Sequence, residues 1–315
     1  DFRSTEPTSG AKKDCQAIVQ ASRSTATTEN RTGMSTSESI GIVAGWGEYP
    51  LAVARALREK GHTVVVAAVY DHAPKEIEAL SHHVKWIGVC KLGGMQKFFQ
   101  QHGVKHVCLS GKLFKDRILF HGWGWMEHFP DWECIKTMLP MFYFRQVNTN
   151  DDSLLGAVVA SFGRHGIKTI PGTDFATQLL AEAGGLTRRK PSKSELDDIE
   201  FGWSIAKQMG GLDVGQSVTV RDRTILAVEA IEGTDACIVR TGQICTRGGF
   251  TLVKVAKPQQ DMRFDVPTIG PQTIEKMKLA GGKVIAIEAG KTILINREKT
   301  LQMADELGIA ILSRV

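Results

Sequence analysis

Between Lys257 and Gly270 the chain reads Lys-Pro-Gln-Gln-Asp-Met-Arg-Phe-Asp-Val-Pro-Thr-Ile-Gly, a run of acids, bases and amides stiffened by proline and closed by glycine. If this segment is extended, Asp261, Arg263 and Asp265 occupy alternate positions and share one face. Two carboxylates flanking a guanidinium suit a metal ion and a phosphate. A second acidic run, Glu232-Gly233-Thr234-Asp235, follows the apolar Val228-Glu229-Ala230-Ile231 and precedes a predicted helix. Carboxylates placed where a strand gives way to a helix N-terminus can face a ligand. They can equally cap the helix, through Asp235 or Thr234. Mg²⁺ takes carboxylate oxygens together with phosphate and water, so Asp265 with Asp235 or Glu232 could hold one ion while Lys257 and Arg263 neutralise a diphosphate. Gln260 and Thr268, on the same segment, are further candidate substrate contacts. The alternative is a buried network of ion pairs joining strand to helix.

A glycine loop, Gly45-Trp46-Gly47, follows the first apolar run, Ile40 to Ala44. Its backbone N–H groups and the start of the next helix could meet an anion, with Gly45 and Gly47 as the binding positions. The loop lacks the third glycine of a dinucleotide fingerprint, and no acid follows the next strand until Asp71, which disfavours a nicotinamide cofactor. A phosphate or sugar contact and a merely tight turn both remain open. The histidines form no H-E-x-x-H pattern, and the six cysteines form neither a C-x-x-C pair nor zinc spacing, so reduced thiols are expected.

These residues must be held by alternating strands and helices. The pattern is strand Ile40 to Ala44, helix Leu51 to Lys60 ended by Gly61, strand Thr63 to Val69, strand Val84 to Val89, helix Met95 to Gln101 and strand Val104 to Ser110. That alternation predicts a parallel sheet covered by helices. An aromatic-rich stretch follows, with Phe114, Phe120, Trp123, Trp125, Phe129, Trp132, Phe142, Tyr143 and Phe144. After it come a helix from Leu154 to Arg164, a strand near Ile167 to Ile170 and a helix from Asp174 to Ala183 ended by Gly184-Gly185. The basic, proline-broken run Thr187 to Pro191 is the predicted domain boundary.

Beyond it, a helix from Glu195 to Met209 and a hairpin of Ser217 to Val220 with Ile225 to Val228 begin an α+β unit. A second hairpin, Lys283 to Glu288 with Thr292 to Ile295, is expected to turn at Gly290. Helices are expected at Thr273 to Leu279 and Glu298 to Leu307. The domains are thus 39–186 and 187–315, after a polar extension over 1–38 that lacks apolar periodicity and is expected to be disordered and dispensable, and Met34 could serve as the functional start.

At 315 residues, 42% hydrophobic and 23% charged, the chain has material for about two globular domains. A net charge of +5 with scattered Lys and Arg argues against a nucleic-acid partner, while anionic small molecules or lipid headgroups fit. No run approaches the ~18 apolar residues of a membrane span, and no hydrophobic signal core is present at the N-terminus.

From Gly41 onward the chain resembles the LpxI family, the UDP-2,3-diacylglucosamine diphosphatases of lipid A biosynthesis. The matching pieces are GIVAGWGEYP, NDDSLLGAVV, GGLTRRKPS, LDVGQ, ILAVEAIEGTDA, KVAKPQQDMRFDVPTIG and GGKVIAIEAGKTILIN, the EGTD and RFDVPTIG pieces being the specific ones. The resemblance implies an α/β chain with a Rossmann-like N-terminal domain, a distinct C-terminal catalytic domain and the lipid product held between them. It also implies a cytoplasmic, Mg²⁺-dependent enzyme at the inner-membrane surface that converts UDP-2,3-diacylglucosamine to UMP and 2,3-diacylglucosamine 1-phosphate. The essential aspartate of its R-F-D-x-P motif maps onto Asp265, and Asp235 follows as the acid of E-G-T-D. Trp46 departs from the further glycine common at that position, which puts headgroup contacts at the first loop in doubt. A homo-oligomer is left open, and a nucleotide-sugar or acylated-sugar binding protein without catalysis is the competing reading.

Overall fold

The computed structural model describes residues 37–113, 125–143, 151–263 and 265–315. The expectations for the polar extension up to residue 36, and for Phe114, Phe120, Trp123 and Phe144, lie outside these residues. Among the described residues the chain is α/β, with a parallel sheet in the N-terminal region and a separate mixed sheet in the C-terminal region.

The first sheet has the order β3-β2-β1-β4-β5, from β1 (Ser39–Ala44), β2 (Thr63–Val69), β3 (His83–Ile87), β4 (His106–Ser110) and β5 (Lys168–Thr169). All neighbours pair parallel. A parallel sheet has helices on both faces, so its inner strands are apolar on both sides. Accordingly Val64 to Val69 of β2 are all fully buried. One core cluster joins Val65, Phe99, Val107 and Phe162, packing helices Leu92–Gln101 and Asp151–Arg164 onto the sheet.

β1 lies between β2 and β4, so the chain leaves β1 toward one side and β4 toward the other, which is where open α/β sheets part their loops. Here the two loops are stitched together. Gly45 N–H donates to Ser110 O at 2.7 Å, Trp46 N–H to Lys112 O at 2.8 Å, and Lys112 N–H to Trp46 O at 3.0 Å. Such close approach excludes a side chain at either glycine. A Cβ on Gly45 would lie 2.7 Å from Lys112 O, and one on Gly111, whose φ is +93°, would lie 2.7 Å from the Gly45 carbonyl carbon.

The second sheet runs β6-β13-β11-β9-β7-β8, from β6 (Gly184–Gly185), β7 (Ser217–Arg221), β8 (Thr224–Val228), β9 (Thr251–Lys254), β11 (Val284–Glu288) and β13 (Ala310–Arg314). β9, β11 and β13 are mutually parallel, while β7, β8 and β6 join antiparallel. Helix Lys193–Gly211 covers β7 and β9 and opens on a capping box: Ser192 Oγ accepts from Glu195 N–H and Glu195 Oε2 accepts from Ser192 N–H.

Two sequence expectations change. Val284–Glu288 and Thr292 to Ile295 do not form a hairpin: β11 lies between β9 and β13, and β12 (Ile293–Leu294) pairs parallel with β10 (Thr268–Ile269). The reason is burial on both faces, since all five residues of β11 are buried, which suits an inner parallel strand rather than a hairpin arm. The expected helix over Asp174 to Ala183 is two 3₁₀ turns, Gly172–Asp174 and Thr177–Leu179. Its backbone is committed elsewhere: Leu180 bridges Ile293, Ala181 N–H donates to Thr292 O, and β6 pairs with β13.

Glu288 closes β11 and braces the exit of β9. Its Oε2 accepts from Ala256 N–H at 2.9 Å and from Lys207 Nζ at 2.6 Å, and its Oε1 meets Lys291 Nζ at 2.9 Å. Burial alone would raise this carboxyl, but Lys207, Lys291 and the Ala256 N–H outweigh it and hold the group below the usual carboxylate range. A depressed folded-state pKa gives stability that is present above the unfolded value of about 4.3 and lost as pH falls through the lower folded value. Glu288→Gln should therefore melt lower than wild type at pH 7, with the gap closing below about pH 4 in thermal melts across pH. A gap that stays constant across this range would show that the carboxylate charge is not what braces the strand.

Candidate active site

The candidate site forms where β8 and β9 end and β10 and helix Thr234–Ile244 begin. Gly233, at φ +82°, is the N-cap of that helix and no side chain caps it. Neither Thr234 nor Asp235 is therefore the cap. The Thr234 hydroxyl is instead engaged by Lys254 at the end of β9, whose Nζ donates to Thr234 Oγ1 at 3.0 Å and to Thr268 O at 3.0 Å. Thr234 Oγ1 in turn donates to Glu229 Oε1 at 2.9 Å, with Ser217 Oγ 3.3 Å away.

Lys254 and Glu229 are each 7% exposed. Burial is the main force lowering the Lys254 pKa, with Lys112 adding to it, while Glu229, Asp235 and Asp265 act in the opposite sense. Lys112 belongs to the loop stitched to Gly45 and Trp46, so charges from both sheets act on one buried ammonium. Two of the predicted site acids, Asp235 and Asp265, thus come into electrostatic reach of a common point.

The other predicted residues are held differently. Asp261, Arg263 and Asp265 do not line one face of an extended segment. Asp265 N–H donates to Asp261 O at 3.0 Å, a helical-type turn, because Asp261 draws Arg263 back onto itself. The guanidinium meets both Asp261 oxygens, Nε at 2.9 and 3.1 Å and Nη2 at 2.6 Å, and the Arg263 N–H adds 3.0 Å. This fork holds Asp261 below the usual carboxylate range. Lys257 Nζ lies 2.6 Å from Asp213 Oδ1. Both cations assigned to a diphosphate are therefore engaged by carboxylates.

Gln260 organises the turn, its Oε1 accepting from Lys257 N–H at 2.8 Å and its Nε2 donating to Asp265 Oδ2. Thr268 contributes its carbonyl to Lys254, and its hydroxyl donates to Val266 O at 2.9 Å. Glu232 accepts from Ala230 N–H at 3.1 Å and pairs with Arg240, and its own backbone N–H together with that guanidinium lowers its pKa. Asp235 lies 3.6 Å from Lys276 Nζ. The trio Asp265, Asp235 and Glu232 does not gather as one metal centre: among the described residues no group of three or more His, Cys, Asp or Glu side chains converges to hold an ion.

Sequence reasoning passed over Lys254, Glu229 and Lys112 and met Thr234 only as a cap. One signal was available. In Phe250-Thr-Leu-Val-Lys-Val-Ala the single charge interrupts a run destined for the core, where an unpaired lysine is rare. Of the aromatic stretch, Phe129 and Trp132 are well exposed. Among the described residues no helix is long and apolar enough to cross a membrane.

Comparison with known proteins matches both regions. Residues 39–179 match the LpxI N-terminal domain and residues 182–312 the LpxI C-terminal domain. The chain is also similar to the UDP-2,3-diacylglucosamine pyrophosphatase LpxI of Caulobacter vibrioides, 28% identical over 280 residues, covering 87% of this chain and 96% of that protein.

Proposed function

Because the chain belongs to the LpxI family of lipid A biosynthesis enzymes, we propose that it cleaves the phosphoanhydride of UDP-2,3-diacylglucosamine, releasing UMP and 2,3-diacylglucosamine 1-phosphate. The observation that carries this reading is the buried ammonium of Lys254, tied to Thr234 beside Asp235 and to Thr268 after Asp265, on which both acids and Lys112 act electrostatically. Hydrolysis of a phosphoanhydride requires a water placed in line and neutralisation of charge on the phosphoryl oxygens. Asp265, fixed by the turn over Asp261 to Asp265 and by Gln260, is suited to orient that water. Asp235, at the start of helix Thr234–Ile244, is suited to a second contact with water or metal. The Gly45 N–H expected to meet an anion is spent on Ser110 O, so Gly47, with open space beside it, is the loop position left to offer backbone to the nucleotide side.

Mg²⁺ commonly takes one or two carboxylates with the rest of its shell from phosphate and water. Asp235 and Asp265 fit that donor set, whereas Glu232, committed to Arg240, does not. When bound, Mg²⁺ would supply positive charge to the diphosphate. We place the enzyme in the cytoplasm, peripheral to the inner membrane, because its substrate carries acyl chains and Phe129 and Trp132 are exposed.

UMP release from UDP-2,3-diacylglucosamine, measured with and without chelator, tests this reading. Turnover should fall at least about a hundredfold with chelator and return with added Mg²⁺. Binding of the substrate with no UMP formed under any metal condition would leave a nucleotide-sugar binding protein as the better account.

A further inference from the structure

Lys254 is an unfavourable residue to bury, since an ammonium at a 7%-exposed position gives up its hydration. A methionine would fill the same space without that cost. The chain instead surrounds the lysine with polar groups whose hydrogen-bond directions are determined. A carboxylate only accepts, so the Thr234 hydroxyl must donate to Glu229 Oε1, leaving its lone pairs for Lys254 Nζ and the Ser217 hydroxyl. Thr268 O takes a second ammonium hydrogen. The third has no acceptor among the described residues, and Glu229 Oε2 is likewise buried without a partner. Two fixed N–H bonds lock the ammonium rotor and hence the direction of the third. Lys112, carried in on the loop after β4, acts unfavourably on Lys254, and a bound anion would offset that repulsion.

We propose that Lys254 is a direct ligand of the substrate diphosphate, donating its third N–H to a phosphoryl oxygen, and that Thr234 and Glu229 are positioning residues that lock the ammonium. This assignment rests on the phosphoanhydride reading above and names the cation that serves it. It differs from the expectation for Lys257 and Arg263, whose charges are met by Asp213 and Asp261. Thr234 and Glu229 act only through Lys254. Losing either should lower kcat more than it raises KM, because the acyl chains contribute to binding independently of the diphosphate.

The full chain carrying Lys254→Met, Lys254→Arg, Thr234→Val or Glu229→Gln tests this with two readouts, UMP release and calorimetric binding of inorganic diphosphate. Lys254→Met should lose kcat by about a hundredfold or more, in the range of removing one preorganised charge donor, and should no longer bind inorganic diphosphate. Thermal melts on the same preparation establish that it is folded, and Lys254→Arg should recover part of the loss. Thr234→Val should lower kcat by about tenfold with KM little changed. If Lys254→Met binds inorganic diphosphate like wild type, or keeps kcat within about threefold, the assignment is overturned. Should Lys254→Met fail to fold, unchanged kcat in both Thr234→Val and Glu229→Gln overturns it instead. A wild-type protein that releases no UMP but loses diphosphate binding on Lys254→Met would sink the proposed reaction and leave the ligand assignment standing.

Discussion

Asp265→Ala should lower kcat about a thousandfold, roughly 4 kcal/mol of transition-state stabilisation, while the protein stays folded. The fold should survive because the turn is closed by main chain, Asp265 N–H to Asp261 O, and by the Asp261 fork to Arg263, neither of which needs the Asp265 side chain. Asp265→Asn separates charge from shape. The amide can still accept from Gln260, so the turn persists, but it is a poor ligand for Mg²⁺ and cannot supply a negative charge, and the loss should be nearly as large. UMP release and thermal melts on the same preparations decide the matter. Turnover within about tenfold of wild type for Asp265→Ala would remove this residue from the reaction, and a loss matched by a collapsed melt would make it structural.

The second large effect is expected at Gly111. Alanine there meets two obstacles, a φ of +93° and a Cβ placed 2.7 Å from the Gly45 carbonyl carbon and 2.8 Å from Trp46 O. Both neighbours are backbone and are tied to Ser110 and Lys112 by hydrogen bonds, so the loop cannot yield cheaply. Gly111→Ala should destabilise by about 2–4 kcal/mol, a fall of about 3–7 °C in Tm for a chain of this size. Gly47→Ala is the matched control: its φ is +106°, yet its Cβ would meet nothing within 4 Å, so only the backbone conformation is penalised. Its cost should be about 1–2 kcal/mol. Equal losses at the two positions would show that conformation, not the close approach of the loops, sets the need for glycine.

How much of this was legible in the sequence depended on whether a segment's own pattern or its distant partners decided its state. The βαβ opening read correctly because β2, buried throughout, is a continuous apolar run and the following turns carry glycine. The helix expected over Glu195 to Met209 is present as Lys193–Gly211, its start fixed by the capping box of Ser192 and Glu195. β9 was missed because four residues carry no usable period, and β13 because its burial comes from β11 rather than from alternation along the strand. Asp235 and Asp265 were chosen by motif, and both act electrostatically on Lys254. Arg263 misled for a local reason. Spacing places it between two acids, but a guanidinium two residues from a carboxylate can turn back and close a fork, as it does on Asp261. Lys254 escaped because its importance lies in burial, which composition does not report.

The short β6 has a consequence for dividing this chain. Gly184 and Gly185 pair with Ser313 and Leu312, Leu186 N–H donates to Ile311 O, and the Thr187 hydroxyl accepts from Ile311 N–H. Together these residues cover the outer side of β13. The second sheet therefore borrows its selvage from the chain that leads into it. Severing the protein at the basic run after Thr187 would strip β13 and turn a sealed margin into an open template for another copy's strand, an invitation to fibre or clump. A cut just before Leu180 keeps the hem with the cloth, and a C-terminal half begun there carries its own protection against self-association.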